Sequence, residues 1–197
     1  MKNKECPLIS IVTPCFNSEK FIKETILSVI NQTYSNIEYI IIDDGSNDSS
    51  KLIINSFDNS NIKFIQTEHL GACHARNIGI KSSKGKYIMF LDADDILSND
   101  SIESLYNTIK NKEHVIAISN WKRLIFKDNH WVVVNSMQDI NPPDNDFIMG
   151  WLSGWFCPPA AILWQKKIFS KIGYWDETLH ANQDGDLMLR ALINKYH

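Results

Sequence analysis

The sequence predicts an α/β fold with a Rossmann-like, mostly parallel sheet and helices on both of its faces. In the first half, short β-branched runs alternate with helix-patterned segments, which implies right-handed crossovers between parallel strands. Two of these runs lead directly into aspartates. After about residue 98 the pattern changes to mixed short strands and helices. We therefore expect a nucleotide-type half, residues 1–98, followed by a second-substrate half, residues 99–197, of the same domain.

Four strands are predicted in the first half: Leu8–Thr13, Glu38–Ile42, Ile62–Gln66 and Tyr87–Leu91. Pro14 is expected to end the first of them. Ser18 is the candidate cap of the helix that follows, and Asp48 or Ser49 is that of the next helix. A third helix is expected over Ala72–Ser83.

In the second half, the sequence predicts shorter helices and strands. They are a helix near Ser101–Lys110, strands Val115–Asn120, Trp131–Val134 and Ala160–Trp164, and helices Gln165–Ile172 and Asp184–Ile193. Trp131–Val134 is a candidate hairpin strand, and Asn141–Asp144 is expected to be a loop.

Composition excludes several classes of protein. Hydrophobic residues make up 44% of the 197 residues and charged residues 22%, which is typical of a globular domain rather than of a disordered chain or a coiled coil. The formal net charge of −3 argues against a general basic surface for nucleic acid, so no nucleic-acid partner is expected.

The lack of a secretory signal and the spacing of the cysteines favour a cytoplasmic protein. The first residues lack the apolar core of a secretory signal. None of the four cysteines forms a C-x-x-C pair, so reduced thiols are expected. The least polar stretch is Phe147–Trp164, but Pro158 and Pro159 interrupt it, and we expect a buried loop and strand there rather than a membrane span.

Two acidic clusters follow strands at equivalent places. Asp43 and Asp44 follow the second strand, and Asp92, Asp94 and Asp95 follow the fourth. Open parallel sheets bind ligands beyond the carboxyl ends of their strands. Grouped carboxylates are costly unless a cation offsets them, and oxygen ligands suit Mg²⁺ or Mn²⁺ beside substrate phosphates. Solvated turns are the alternative interpretation for each cluster, but together they predict a metal–diphosphate site.

Neither the G-x-G-x-x-G nor the Walker A phosphate loop occurs in the chain. The first strand instead ends in Thr-Pro-Cys-Phe-Asn, where Phe16 is suited either to stack on a base or to pack in the core. Arg76 could face a phosphate or form a surface salt bridge.

Several segments together resemble the inverting family 2 glycosyltransferases of the GT-A fold. They are ISIVTPCFN, the NQTY that ends the first helix, YIIIDDGSND, GACHARNIGI, SKGKYIMFLDADD, KIGYWDE and NQDGDLMLR. The resemblance is continuous over about residues 8–98 and returns at about 160–192. Members of this family usually continue further, so the chain is expected to be a C-terminally truncated or minimal domain.

The resemblance implies a role for each matching residue. Pro14, Phe16 and Asn17 would line the base and ribose site, Asp44 would bind the base, Asp43 would support that turn, and Arg76 would lie against the nucleotide. Asp92 and Asp94 would be the D-x-D carboxylates, with Asp94 the direct metal ligand. Asp184 would be the general base, although the preceding residue is Gln183 where the family has Glu.

The implied function is inverting transfer of a sugar from a nucleotide diphosphate donor, expected to be a UDP-sugar, to a saccharide or lipid-linked acceptor with Mn²⁺ or Mg²⁺. Peripheral contact with the inner face of the membrane is expected as well. Gln183 keeps open an alternative, a non-catalytic UDP-sugar-binding module of a polysaccharide-assembly complex. A nucleotidyltransferase would need a Gly-rich loop after the first strand, which the sequence lacks.

Overall fold

The computed structural model describes residues 6–128, 130–134 and 141–196. Its strands are β1 (Ile9–Cys15), β2 (Ile37–Asp43), β3 (Ile62–Gln66), β4 (Tyr87–Phe90), β5 (Ala117–Ile118), β6 (Arg123–Lys127), β7 (His130–Val134) and β8 (Ile162–Gln165). Its α-helices are α1 (Ile22–Ile30), α2 (Ser50–Asn55), α3 (Ala72–Ser82), α4 (Ser101–Ile109), α5 (Phe147–Leu152), α6 (Phe169–Ile172) and α7 (Gln183–Ile193). Short 3-10 turns occupy Pro143–Asn145, Pro159–Ala161 and Lys166–Ile168.

The main sheet has six strands in the order β3-β2-β1-β4-β8-β5. β1 pairs in parallel with β2 and with β4, and β2 pairs in parallel with β3. β8 runs antiparallel between β4 and β5. The order reverses at β1, so the carboxyl ends of β1 and β4 flank a switch point of the kind at which α/β sheets bind ligands. The predicted mostly parallel sheet with a mixed second half is confirmed.

Helices cover both faces because the central strands are apolar on both sides. One cluster packs β1 residue Val12 and β4 residue Phe90 against α3 and α7. The other packs β1 residue Ile11 and β4 residue Met89 against α1 and α4. Successive strand residues point to opposite faces, which is why each strand contributes to both clusters.

β1 continues through Pro14, which corrects the prediction that this proline ends the strand. The amide of Ile9 donates to the Asn36 carbonyl, and the Cys15 carbonyl accepts from Asp44, so these alternate residues face β2. Pro14 therefore faces the β4 side, where pairing stops at Val12 with Phe90. Its missing N–H costs no ladder hydrogen bond.

Two predicted helix caps have different outcomes. The side chain of Ser18 does not cap α1, because its hydroxyl donates to the Phe16 carbonyl at 3.1 Å. At α2 the N-cap residue is Ser49, which makes no side-chain capping bond, while the Asp48 carboxylate accepts the amide of Ser50, the first helical residue, at 2.9 Å.

The second half departs most from prediction. Helix α5 occupies part of the stretch that was expected to be loop and strand, and Asp146 caps it by accepting two amides. The strand expected over Val115–Asn120 shrinks to β5, and β7 pairs with β6, which was not predicted. Within the described ranges, no helix has both the length and the apolarity needed to span a bilayer.

Candidate functional site

The carboxyl ends of β1, β2 and β4 bring most of the predicted site residues to one edge of the sheet. Pro14 is the second-to-last residue of β1, Asp43 ends β2, and Asp92 follows β4 by two residues. Because these three strands are neighbours and parallel, their ends open onto one crevice.

The exposed rim of this crevice carries an aromatic pair. Phe16 is 42% exposed and stacks on His69 with ring centroids 4.0 Å apart. Asn17, in the left-handed region with φ of 49°, accepts the amide of Asn47 at 2.9 Å and ties the two loops together. A flat exposed ring held in this way is suited to stack on a nucleobase. His69 carries no sequence signal of its own, because its partners become neighbours only in the folded chain.

Asp44 is buried and turned inward. Its carboxylate accepts from the hydroxyl of Thr67 at 3.2 Å and from the amides of Leu70 and Gly71 at 3.0 and 2.8 Å, and it lies 3.0 Å from His69 Nδ1. These contacts occupy both oxygens and hold the segment 67–71 in place. Asp43 is equally buried and accepts the amide of Ser46 at 3.3 Å. Base recognition by Asp44 remains a prediction.

Arg76 is the buried cation of the site. Its guanidinium donates to Asp92 Oδ1 at 2.6 Å and lies 4.6 Å from the centre of the Trp175 ring. Burial acts to lower the pKa of Arg76, but the charges of Asp92 and Asp184 outweigh it and raise the pKa. The surface-salt-bridge interpretation is wrong because the side chain is only 7% exposed.

Trp175 is held by an amide clamp that sequence reasoning did not find. Asn77 donates through Nδ2 to the Trp175 carbonyl at 2.9 Å and accepts the Trp175 amide at 3.0 Å. The two residues are 98 positions apart, so local patterns carry no sign of the contact.

Asp184 shares the crevice with Arg76 and Asp92. It stands in the first turn of α7, where the helix dipole favours a carboxylate. Burial raises the pKa of Asp184 above its ordinary value, the Arg76 charge lowers it, and the Asp92 charge raises it. A half-buried carboxylate with an elevated pKa beside a fixed cation is suited to accept a proton.

Two neighbours of Asp184 have structural contacts. Asp186 accepts Nε and Nη2 of Arg190 at 3.0 and 2.6 Å, so it is engaged within α7. Gln183 donates through Nε2 to the Leu179 carbonyl at 2.8 Å and so secures the chain just before the helix.

The acidic cluster after β4 fits a divalent cation in part. Asp94 is exposed, Asp92 is partly exposed, and Asp95 has a pKa raised to about 7 by burial and by the charges of Asp92 and Asp94. Arg76 offsets the charge of Asp92 only, and the remaining hard oxygen donors suit Mg²⁺ or Mn²⁺. In residues 6–128, 130–134 and 141–196, no three His, Cys, Asp or Glu side chains group closely enough to hold an ion alone. An ion held by Asp92 and Asp94 would need further ligands, which substrate phosphates commonly supply.

The chain matches a described protein family. The model of the family described as "Glycosyl transferase family 2" matches residues 10–173. A protein of Haemophilus influenzae named "Uncharacterized glycosyltransferase" is 38% identical over 138 residues, which are 68% of this chain and 55% of that protein. The "Minor teichoic acid biosynthesis protein GgaA" of Bacillus subtilis is 43% identical over 116 residues, 55% of this chain and 26% of that one.

Solved structures share the fold. S. aureus TarS 1-349 in complex with UDP-GlcNAc aligns with a TM-score of 0.71 and 21% identity, over 94% of this chain and 53% of that chain. The mannosyltransferase PcManGT of Pyrobaculum calidifontis in complex with GDP-Man and Mn²⁺ aligns with a TM-score of 0.68 and 16% identity, over 91% of this chain and 50% of that chain.

The chain thus spans about half the length of the Haemophilus relative and of both solved structures, and a quarter of GgaA. The family match covers more than half of the chain, and the sheet carries the acidic crevice at its switch point. The chain therefore belongs to glycosyl transferase family 2, a family of inverting enzymes, and has the GT-A fold.

Proposed function

We propose that the chain transfers a sugar from a UDP-sugar to a hydroxyl of a saccharide or lipid-linked acceptor, with inversion and with Mn²⁺ or Mg²⁺. The observation that carries the proposal is the convergence of Arg76, Asp92 and Asp184 on one crevice. The UDP-GlcNAc complex of TarS supports a uridine donor, and the name of GgaA supports a cell-wall polymer acceptor.

The donor would lie along the carboxyl ends of β1, β2 and β4. Phe16 and Asn17 would contact the base and ribose, while Pro14 would shape the floor beneath them. Asp44 would act through the segment 67–71 that it holds, which carries His69 against Phe16. Asp43 would brace the turn after β2 through the amide of Ser46.

Asp184 would take the proton of the acceptor hydroxyl as attack proceeds. Its raised pKa makes it a stronger base than an exposed aspartate, and the neighbouring Arg76 charge favours its ionised form. Arg76 also lies against the nucleotide in this arrangement and offsets Asp92. A single carboxylate opposite the leaving group gives one displacement and hence inversion.

Asp92 and Asp94 would hold the cation, with Asp94 as the direct ligand. A bound divalent cation would stabilise the negative charge that grows on the departing nucleoside diphosphate. Asp94 is suited to this role because it is exposed and so accessible to a cation.

We place the chain in the cytoplasm, in peripheral contact with the inner face of the membrane. The β6–β7 hairpin supports this, since its exposed Leu124 and Val133 are accompanied by exposed Arg123 and Lys127. Apolar side chains among basic ones suit a surface of anionic lipid.

The test compares wild type with Asp184→Asn, Asp186→Asn, Asp94→Ala and Asp58→Ala. UDP affinity is measured by calorimetry with and without Mn²⁺, and UDP release is followed from a panel of UDP-sugars. Asp184→Asn should lower release about 10²–10⁴-fold with UDP affinity retained. Asp94→Ala should remove the Mn²⁺ dependence of UDP binding, while exposed Asp58→Ala should change neither measurement.

Asp186→Asn is the matched control on the same helix, and we expect it to lower the melting temperature while leaving folded enzyme active. A binding module without catalysis remains a second candidate, because Gln183 stands beside Asp184 and is engaged with Leu179. Mn²⁺-dependent UDP binding with no release from any donor would favour the module. Absence of UDP binding would refute both functions.

A further inference from the structure

A cavity lies at the edge of the sheet opposite the crevice that we propose for the donor. It has a volume of about 750 Å³, within the range of small-molecule sites. Tyr87, the first residue of β4, and Gln165, the last residue of β8, pair with each other and form its floor. The cavity is therefore separate from the carboxyl end of β4, where the acidic cluster begins.

The lining of this cavity is strongly basic in an acidic chain. Five lysines face it against one carboxylate, Glu113. They are Lys81, Lys86, Lys112, Lys166 and Lys167. The chain as a whole has a formal charge of −3, so positive charge is concentrated here. A concave surface lined by one sign of charge focuses its field and attracts counter-ions.

The aromatic and carbonyl neighbours of these lysines position them around the opening. Lys81 lies 5.8 Å from the Tyr174 ring centre and Lys86 lies 5.8 Å from that of Tyr87. Lys166 donates to the Ser83 carbonyl at 2.5 Å. Lys167 approaches Glu113 at 3.5 Å, so the single carboxylate is already engaged with one lysine.

A buried acceptor adds a second kind of group. Gln165 is only 5% exposed, and its Nε2 donates to the Lys112 carbonyl at 2.7 Å, which sets the orientation of the amide. Its Oε1 has no hydrogen-bond partner among the described residues. A buried acceptor without a partner is costly, and a ligand with an O–H donor would satisfy it.

We propose that this cavity binds a polyol phosphate, a ligand that combines phosphate groups with free hydroxyls. Lysine ammonium groups bind phosphate as point charges, and Gln165 Oε1 would accept a hydroxyl of the polyol. The ligand could be a small phosphorylated polyol or a chain of such units. The proposal does not rest on the proposed function, because the cavity shares no residue with the donor crevice.

Calorimetric titration of the chain with sn-glycerol 3-phosphate, a soluble glycerol phosphate oligomer and inorganic sulfate tests this proposal. Glycerol 3-phosphate should bind saturably and more tightly than sulfate, which has no O–H donor. The variant Lys81→Gln/Lys86→Gln/Lys112→Gln should raise its Kd about tenfold. The matched variant Lys23→Gln/Lys51→Gln/Lys63→Gln removes three exposed lysines elsewhere and should leave the Kd unchanged.

Gln165→Leu should abolish the preference for glycerol 3-phosphate over sulfate. A thermal melt checks that this variant is folded. If it is unfolded, the Kd values of the two lysine variants test the proposal instead. If the oligomer binds more tightly per phosphate than glycerol 3-phosphate, the ligand is a polymer. If the two bind equally per phosphate, the ligand is a small molecule. Either result supports the proposal. Competition by UDP, an equal loss in both lysine variants, or no saturable binding would overturn it. Loss of UDP binding in Asp94→Ala would leave this titration unaffected.

Discussion

Buried Arg76 and partly exposed Asp92 form an ion pair, with Nη2 2.6 Å from Oδ1, that joins α3 to the end of β4. The Trp175 ring covers the other side of the guanidinium. This pair sets the charge next to Asp184, since one partner lowers the pKa of Asp184 and the other raises it. The electrostatics of the site thus depend on the contacts of Arg76, Asp92 and Trp175, which belong to three separate parts of the chain.

Replacement of Arg76 should move the acidic limb of the activity profile. Asp184 acts as a base only when deprotonated, so the rate falls as pH drops through its pKa. Burial raises that pKa and Arg76 lowers it, so Arg76→Met should raise it further and shift the limb to higher pH. The measurement is kcat/KM for UDP release against pH. Arg123→Met, on the exposed hairpin, should leave the limb in place, and an unmoved limb in Arg76→Met would contradict the assignment.

Asp44→Asn should destabilise the fold. The carboxylate accepts several donors while buried, and an amide can accept at only one of its two polar atoms. We expect a loss of about 1.5–3 kcal/mol in the free energy of unfolding, measured by urea denaturation. Exposed Asp58→Asn should lie within about 0.5 kcal/mol of wild type. Equal stability of the two variants would show that the segment 67–71 does not need Asp44.

Gly79→Ala should also destabilise, although alanine favours helices by about 1 kcal/mol. A Cβ at Gly79 would lie 2.2 Å from Val12 Cγ1, and Val12 is fully buried in β1. Moving α3 off the sheet should cost about 1–3 kcal/mol, which thermal melting would detect. Ser82→Ala, on the same helix and less buried, is the control. A raised melting temperature in Gly79→Ala would show that α3 can shift freely.

Alkylation should distinguish the cysteines. Burial raises the pKa of the Cys15 thiol to about 11 and that of Cys157 to about 12, and burial also raises that of Cys73. At pH 8 these three should hold almost no thiolate, whereas exposed Cys6 should react. Mass spectrometry after brief iodoacetamide treatment should show one modification, absent in Cys6→Ser. Rapid modification of two or more sites would mean that the core opens readily.

The first half of the fold was predictable because its signals are local. Apolar runs such as Ile62–Gln66 coincide with observed strands, and Asp48 accepts the first amide of α2 only two residues further along the chain. Helix α5 was missed although Asp146 precedes its apolar run, because glycines and prolines nearby favour a loop. Phe147–Leu152 forms a helix nonetheless, since tertiary packing overrides weak propensity.

The site was predictable only where its signals are local in the sequence. Asp92 and Asp94 stand beyond a clear strand, so the acidic cluster could be placed from the sequence. His69 and Trp175 could not, because each matters through a residue distant in the chain: Phe16 for the first and Arg76 for the second. Contacts between distant segments leave no periodicity in a single sequence.

The insertion of β8 between β4 and β5 makes the two halves of the chain inseparable. Tyr87–Phe90 is buried, and along that edge its only partner within the sheet order is β8, which arrives more than 70 residues later. A fragment cut after residue 98 would present an unpaired apolar strand to other molecules, and such edges promote aggregation. During synthesis, the early strands would depend on a late segment to shield them from intermolecular pairing.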